Sequence, residues 1–522
     1  MSRLFLGLDS STQSLSAILI DVDAPVVVYE HVVNFDEALP HYGTQNGALR
    51  ADDAARIHSP PGMWVEALDL LFARMRDDGV ALCDVLAVSG SGQQHGSVYL
   101  NASAPAVLAA LDPERPLLEG METMFSRPTA PIWMDSSTSR QCEAIEAALG
   151  GRQATAEATG SAAFERFTGP QIRKFFEDDP AAYEDTAHIA LVSSFLASVL
   201  AGRIAPIDHG DGAGMNLMDI RTKQWLPAAL DATAPGLAAR LPPLAPSWSK
   251  VGTIHPTFGR FGFRDSTRCI AWSGDNPNSV IGLGLIEPGM IAISLGTSDT
   301  FFGVMKECRT DPNAEGHVFG SPTGDYMTII CYMNGSLARE RVKDQHGLDW
   351  DGFSRCLRET PPGNHGKIMI PWFAPEIVPR VLAPRVHRFG LSEEDVAGNC
   401  RAVIEAQMMS MRIHSAWMDV RPSSIYATGG ASANRDILQV MADVHQCPVY
   451  RQETTNSAAL GAALRAAHAY FVDIGEPDDW HAVTAGFTDR PETPIATPDP
   501  AAADVYTDLC AAYAESERTA RG

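Results

Sequence analysis

The chain has 522 residues, more than one hydrophobic core usually supports, so two or three domains are expected. Its 64 acidic against 40 basic residues give a formal net charge of −24, which repels nucleic-acid phosphates and restricts a polyanionic ligand to a local site rich in backbone N–H donors or holding a metal. The nine cysteines form no C-x-x-C pair, which argues against a disulfide framework and a zinc site and fits reduced thiols in a cytoplasmic protein.

At the start, "LFLGL" is too short for a secretory signal, and "SRLFLGLDSSTQSLSAILID" reads as two β-rich runs around a polar tip, a hairpin. Helical periodicity follows in "PGMWVEALDLLFARMRDDG", ended by Gly79, then a strand in "VLAVSGSGQQHGSVYL", then a helix in "SRQCEAIEAALGG". The apolar "IALVSSFLASVLAG" is too short to span a bilayer and reads as a buried helix, so no membrane partner is expected. The Pro- and Ala-rich stretch 225–256 suggests a domain boundary near residue 260. Beyond it come the strand "CIAWSG", a second hairpin in "GMIAISLGTSDTFFGVM", the strand "SIYATGG" and the helix "NRDILQVMADVHQ". A linker, "DRPETPIATPDPAAAD", precedes a C-terminal amphipathic helix that docks back. The two hairpins align Asp9-Ser10-Ser11-Thr12 with Ser294-Leu295-Gly296-Thr297, the pattern of a duplicated unit opening each domain of an α/β protein.

Three small-residue turns follow strands, at Asp9–Gln13, Gly296–Thr300 and Gly429–Asn434. Such turns let backbone N–H groups converge on an anion, although hairpin tips of this kind also occur where nothing binds. None matches G-x-x-x-x-G-K-[ST] or G-x-G-x-x-G after a strand, so neither of those nucleotide folds is supported. Asp275, in "GDNPNS", stands where a strand ends and an Asn-Pro pair begins, a pattern that by itself reads as a helix cap.

The ordered set "GLDSSTQS", "LAVSGSGQQHGSVYL", "PIWMDSSTSRQCEAIE", "FERFTGPQI", "APIDHGDGAGMNL", "GDNPNSVIGLG", "ISLGTSDTFFG" and "YATGGASANRDILQVMADV" resembles the FGGY carbohydrate kinase family, over about residues 3–470. Within that family "SGQQHGS" and "WMDSST" point to a xylulose-type rather than a glycerol-type substrate. The resemblance implies two ribonuclease-H-like (actin-like ATPase) domains flanking a central cleft in which ATP and sugar meet. The expected division is 1–260, 261–485, and 486–522 for linker and docking helix.

The resemblance further implies that ATP is bound by Ser10, Ser11, Thr12 and Gln13 of the first hairpin, Gly296, Thr297 and Ser298 of the second, and Trp350, Gly429, Gly430 and Asn434 around the adenosine. Asp9 would face Mg²⁺ through water. Gln94, His95, Arg166, Asp275 and Asn276 would hold the sugar, with Asp275 as general base, while Asp135 and Asp211 shape the site. Plainer readings stand beside these: Asp9 as a turn acid, Asn434 or Ser432 as a helix cap, Trp350 as an ordinary tryptophan, and Arg166 in a surface salt bridge with Glu165 or a neighbour. The chain departs from the family at Ser11, where many members have Gly, and at "PWFAPEIVPRVLAPR", which replaces a Gly-Glu-Arg-x-Pro stretch. The implied reaction is phosphorylation of D-xylulose to D-xylulose 5-phosphate. Another pentulose or polyol, or a non-catalytic actin-like ATP binder, is the alternative. Nucleic acid is not an expected partner, and a homodimer is left open.

Overall fold

The two apolar runs of the first segment become strands joined at Ser11–Gln13, with Asp9 and Ser10 taken into the first strand, and the same plan recurs at residues 290–305. The computed structural model describes residues 2–452, 456–477 and 479–521. Strand β1 (Leu4–Ser10) pairs antiparallel with β2 (Ser14–Asp21), and β2 antiparallel with β3 (Val26–Asn34). On its other side β1 pairs parallel with β4 (Val85–Gly92). Strands β5 (Ser97–Asn101) and β6 (Thr186–Leu191) form a separate antiparallel pair. Strand β7 (Lys250–Thr253) edges the main sheet beside β8 (Arg268–Ile270), and β8 and the short β9 (Ser273–Gly274) both run parallel to β4.

The second sheet repeats the plan. Strand β10 (Met290–Leu295) pairs antiparallel with β11 (Asp299–Met305) and parallel with β12 (Ser424–Thr428), which runs parallel to β13 (Val449–Arg451). The relations β2–β1–β4–β8 and β11–β10–β12–β13 are the same, so the expected duplication is present in the topology.

The chain divides into two compact units, residues 1–286, 318–326 and 455–489 in the first, and 287–317, 327–454 and 490–522 in the second. The first unit therefore extends past residue 260, because β8 and β9 are needed as parallel neighbours of β4. It also reclaims the helix Ser457–Asp473, which lies against β1 and the helix Asp275–Gly282. The C-terminal helix Ala502–Arg521 docks on helices Val396–His414 and Arg435–His445 of the second unit, burying Tyr506 and Tyr513.

Other elements sharpen the sequence reading. The stretch 85–100 is two strands rather than one: it breaks at Gln93–Gly96, where His95 adopts φ +72°, and the second half leaves the sheet. The helix Val192–Ala201 is buried at all ten positions, which explains its membrane-like composition. Among the described residues no helix is long and apolar enough to cross a membrane.

The helices Asp275–Gly282 and Ser457–Asp473 meet so closely that a Cβ on Gly461 would run into the Asn278 carbonyl oxygen, a backbone atom that cannot swing aside. Gly461→Ala should therefore cost about 1–3 kcal/mol in chemical denaturation, the range for overpacking. Gly259→Ala, at a position with nothing within 4 Å of the new methyl, should change stability by about 0.5 kcal/mol or less. Equal effects at the two sites would contradict the close packing.

Candidate functional site

Three neighbouring parallel strands of the first sheet end together, with Asp9 beside Ser91 and Ser10 beside Gly92 across β1–β4, and Ser273 beside Ser91 across β9–β4. Chain segments leaving the carboxyl ends of parallel strands diverge, and the gap between them is where ligands bind in such sheets. Asp275, the first residue of the helix Asp275–Gly282, follows β9 directly. Its Oδ1 accepts from the Asn276 backbone N–H at 2.8 Å and from the Asn276 side-chain amide at 3.0 Å. The same amide donates to Gln94 Oε1 at 2.7 Å, so Gln94, Asn276 and Asp275 form one chain of contacts. The helix begins at Gly274 with no side-chain cap, so Asp275 does not serve as the cap its sequence pattern suggested.

Asp9 is buried, and its Oδ2 accepts from the Ser11 hydroxyl while Oδ1 has no partner among the described residues. The Ser11 side chain, the departure from the family pattern, is thus turned inward onto Asp9. Burial raises the Asp9 carboxyl above its ordinary value, opposed by the hydroxyls of Ser11 and Ser91. Burial, reinforced by the charge of Asp9, pushes the Asp275 carboxyl up to about 7. Asp211 is buried next to them; burial and then the charge of Asp208 hold it well above the carboxylate range, and its Oδ2 accepts from the Ser193 hydroxyl.

His95 is buried with Nδ1 2.9 Å from the Gly214 carbonyl oxygen. A carbonyl can only accept, so Nδ1 carries the proton and Nε2 is left as an acceptor. Burial, helped by the charge of Arg166, pushes the ring down to about 3, so it stays neutral. The His95 ring packs on Phe167 at 4.5 Å, and the Arg166 guanidinium lies 5.3 Å from the Phe164 ring and 5.7 Å from that of Phe167. Among the described residues Arg166 has no ion pair, so the salt bridge with Glu165 is not formed; Glu165 instead accepts from the Ser139 hydroxyl at 3.0 Å.

At the tip of the first hairpin, Thr12 Oγ1 accepts from the Trp133 indole at 2.8 Å, and Gln13 is exposed. Ser10 is fully buried, with its carbonyl accepting from the Gln93 N–H at 2.9 Å. Asp135 is saturated: it accepts from the backbone N–H groups of Ile57 and Ser137, the Ser137 hydroxyl and the Gln171 amide, which fits a shaping role.

The second unit carries the other group. The turn Gly296–Ser298 joins β10 to β11, with Thr297 and Ser298 exposed. Gly429 follows β12 with φ +80°, and a Cβ there would strike the Leu295 carbonyl at 2.6 Å, so only glycine fits against the base of that hairpin. A Cβ on Gly430 would meet nothing within 4 Å, leaving its backbone open. Gly430, Trp350, Ser354, Arg358 and Asn434 line a cavity of about 660 Å³. Asn434 caps the helix Arg435–His445, its Oδ1 accepting from the N–H groups of Asp436 and Ile437 at 3.0 and 3.2 Å, while its Nδ2 donates to Ser354 Oγ at 2.7 Å. The capping reading of Asn434 is realised, and its side chain faces the cavity through Ser354. Trp350 is 41% exposed and opens the helix Trp350–Glu359.

Two buried arginines beneath these groups escaped the sequence reading. Arg465 donates to Asn278 Oδ1 at 3.0 Å and to the Ser247 and Ala271 carbonyls at 2.9 Å each, and Asn278 in turn donates to the Gly274 carbonyl at 2.8 Å. A lone Arg inside the Ala-rich run "SAALGAALRAAHAYF" was the available signal. Arg339 grips Asp299 below the second hairpin, and the polar stretch around it gave no signal. The loop that replaces the family's Gly-Glu-Arg-x-Pro stretch places Glu376 so that its carboxylate accepts the Met333 and Asn334 N–H groups at 2.6 and 3.1 Å.

The chain matches the N-terminal domain of the FGGY family of carbohydrate kinases over residues 128–282 and the C-terminal domain over residues 291–470. It is 43% identical to the xylulose kinase of Rattus norvegicus, covering 99% of this chain and 97% of that protein. It is 46% identical to xylulose kinase 2 of Arabidopsis thaliana, covering 90% and 87%. Among solved structures, the xylulose kinase from Rhodospirillum rubrum superposes with a TM-score of 0.82 at 20% identity, over 99% of both chains. The Plasmodium falciparum glycerol kinase with ADP gives 0.75 at 16% identity, over 99% of this chain and 98% of that one. At such identities the structural likeness speaks to the fold.

A folded-state pKa of about 7 against 3.8 for an unperturbed aspartate carries a consequence for stability. The native state binds the proton more tightly than the unfolded state, so this contribution is complete below about 3.8 and is lost as pH rises through about 7. Asp275→Asn should therefore raise the melting temperature at pH 8 and raise it less as pH is lowered below 6, measured without nucleotide or metal. A gain that does not change with pH would contradict the desolvated carboxyl.

Proposed function

The chain belongs to the FGGY family of carbohydrate kinases, and from that premise we propose that it transfers the γ-phosphoryl group of ATP to the 5-hydroxyl of D-xylulose. The xylulose kinases to which it is 43–46% identical over most of their length support the choice of sugar. The observation that carries the chemistry is Asp275, a carboxyl raised to about 7 at the carboxyl edge of the first sheet.

Phosphoryl transfer passes through a loose transition state in which the protein mainly aligns the reactants and balances charge. A base is most effective when its pKa lies near the working pH, because it is then both available and a strong enough acceptor. Asp275 meets that condition: it accepts the proton of the attacking hydroxyl, and Asn276, anchored to Gln94, fixes the carboxylate's orientation through Oδ1. The Asn276 amide protons are occupied by Asp275 and Gln94, so its carbonyl oxygen is the atom offered to a sugar hydroxyl. His95 accepts from a second hydroxyl through Nε2, and because its ring stays neutral that interaction persists across physiological pH. Arg166, lying over Phe164 and Phe167 without a carboxylate partner among the described residues, offers donors to a sugar oxygen.

ATP is the phosphoryl donor of the family. The adenosine lies in the cavity beside Gly430 and Trp350, where an open backbone and an exposed indole suit a flat base. The phosphates lie against the turn Gly296–Ser298 of the second unit. Mg²⁺ fits Asp9: this is a hard cation that takes oxygen ligands, and Asp9 has a buried carboxylate oxygen without a hydrogen-bond partner among the described residues. Asp9 would hold the ion, which would supply positive charge to offset that of the phosphates.

Purified protein should release ADP from ATP and Mg²⁺ in a D-xylulose-dependent manner, faster than with D-ribulose or glycerol. Asp275→Asn should keep sugar binding within a few-fold while kcat falls about 10²–10⁴-fold, the usual worth of a general base. In the wild type kcat/KM should fall as pH drops below about 7, because the protonated carboxyl cannot accept a proton. An Asn variant with normal turnover would remove Asp275 from this role. Undiminished ADP release with glycerol in place of D-xylulose would overturn the substrate.

A further inference from the structure

The turn between β10 and β11 has only three residues outside its strands, and two of them, Thr297 and Ser298, are exposed. Its shape is set from below. Asp299, the first residue of β11, is buried, and Arg339 meets its carboxylate at two points, Nη1 to Oδ2 at 2.7 Å and Nη2 to Oδ1 at 2.9 Å. The guanidinium is itself wholly buried. Nη1 also donates to Gln407 Oε1 at 2.9 Å, and Nη2 to Ser336 Oγ at 3.0 Å and to the Gly296 carbonyl oxygen at 3.4 Å. That carbonyl takes a second donor, the Ser336 backbone N–H, at 2.9 Å. Gln407 closes the network by donating to the carbonyls of Asn334 at 2.6 Å and Gly335 at 2.9 Å, the two residues that lead into the helix Ser336–Gln345.

A peptide unit is planar and trans, so its C=O and the following N–H point in opposite directions. With the Gly296 carbonyl held toward Arg339 and Ser336, the Thr297 N–H must face the other way, toward the exposed side of the turn. We propose that Arg339 is a positioning residue for the nucleotide phosphates: by fixing the Gly296 carbonyl and the Asp299 carboxylate at the two ends of the turn, it aims the Thr297 N–H and the hydroxyls of Thr297 and Ser298 at the phosphate oxygens. This rests on the reading of the turn as a phosphate site. Arg339 never touches the ligand. Its planar fork serves two carboxylate oxygens and a carbonyl at once, which the single ammonium of lysine cannot do. A pair kept only for stability would have little reason to be charged, since buried ion pairs are often no better than apolar packing.

The test compares Arg339→Gln and Arg339→Lys with the wild type in the full-length protein, by calorimetric titration with ATP, adenosine and D-xylulose. The Gln variant should bind ATP at least 10-fold more weakly, with adenosine and D-xylulose affinity within about twofold, and the Lys variant should fall between. A loss shared equally by ATP and adenosine means general loosening of the second unit and overturns the proposal. If the Gln variant lacks a cooperative melt, the Lys variant decides: ATP affinity equal to wild type in a folded Lys protein also overturns it. The double substitution Thr297→Ala, Ser298→Ala separates the two ideas. If it leaves ATP binding intact, the phosphate reading of the turn fails; if it weakens ATP while Arg339→Gln does not, only the role of Arg339 fails.

Discussion

A carboxylate kept out of water beside another carboxylate is the constraint around which the first unit is arranged. Asp9 and Asp275 lie at the carboxyl ends of strands on either side of β4, and the charge of Asp9 adds to the cost of ionising Asp275. Such a pair is expensive to bury and is held by backbone rather than by counter-charge: Asn276 and Gln94 supply N–H groups, and Ser11 a hydroxyl. The buried Arg465 is spent on carbonyls and on Asn278, so it braces the start of the helix bearing Asp275 without directly neutralising it. A carboxyl that is neither fully paired nor freely solvated has a proton affinity near neutrality, and that is the property a general base requires.

The second unit uses the same topology for a different end. Its hairpin has no acid at the position matching Asp9, where Ser294 stands, and its buried charge lies beneath the turn as Asp299 with Arg339. In the first copy the buried acid is met by a hydroxyl, Ser11; in the second it is met by a guanidinium, Arg339. One folding unit thus yields a carboxylate-rich edge and an edge presenting N–H groups and hydroxyls, the complementary environments that an alcohol acceptor and a polyanionic donor call for.

The local chemistry of the chain was legible and the long-range assembly was not. Alternating apolar runs around polar tips gave both hairpins, and Gly429 was readable as a turn because its conformation excludes other residues. The return of residues 455–489 to the first unit was invisible, since an Ala-rich helix carries no mark of the sheet it will cover. The break at Gln93–Gly96 was missed because a histidine at positive φ has no signature in sequence. Asp275 and Asn434 show the limits of capping signals: Asn434 precedes its helix and caps it, whereas Asp275 is already the first helical residue and Gly274 stands at the cap position. Neither Arg339 nor Arg465 could have been assigned a partner from sequence, because their acceptors lie 40 and 187 positions away, at Asp299 and Asn278.

The destination of the phosphoryl group is the most direct readout of this chemistry. Phosphorus and carbon NMR of a reaction containing the protein, ATP, Mg²⁺ and D-xylulose reads this directly. The prediction is one ADP per new phosphomonoester, with the phosphorus coupled to carbon 5 of the sugar. Orthophosphate as the only new signal, or a phosphate on carbon 1, would contradict it.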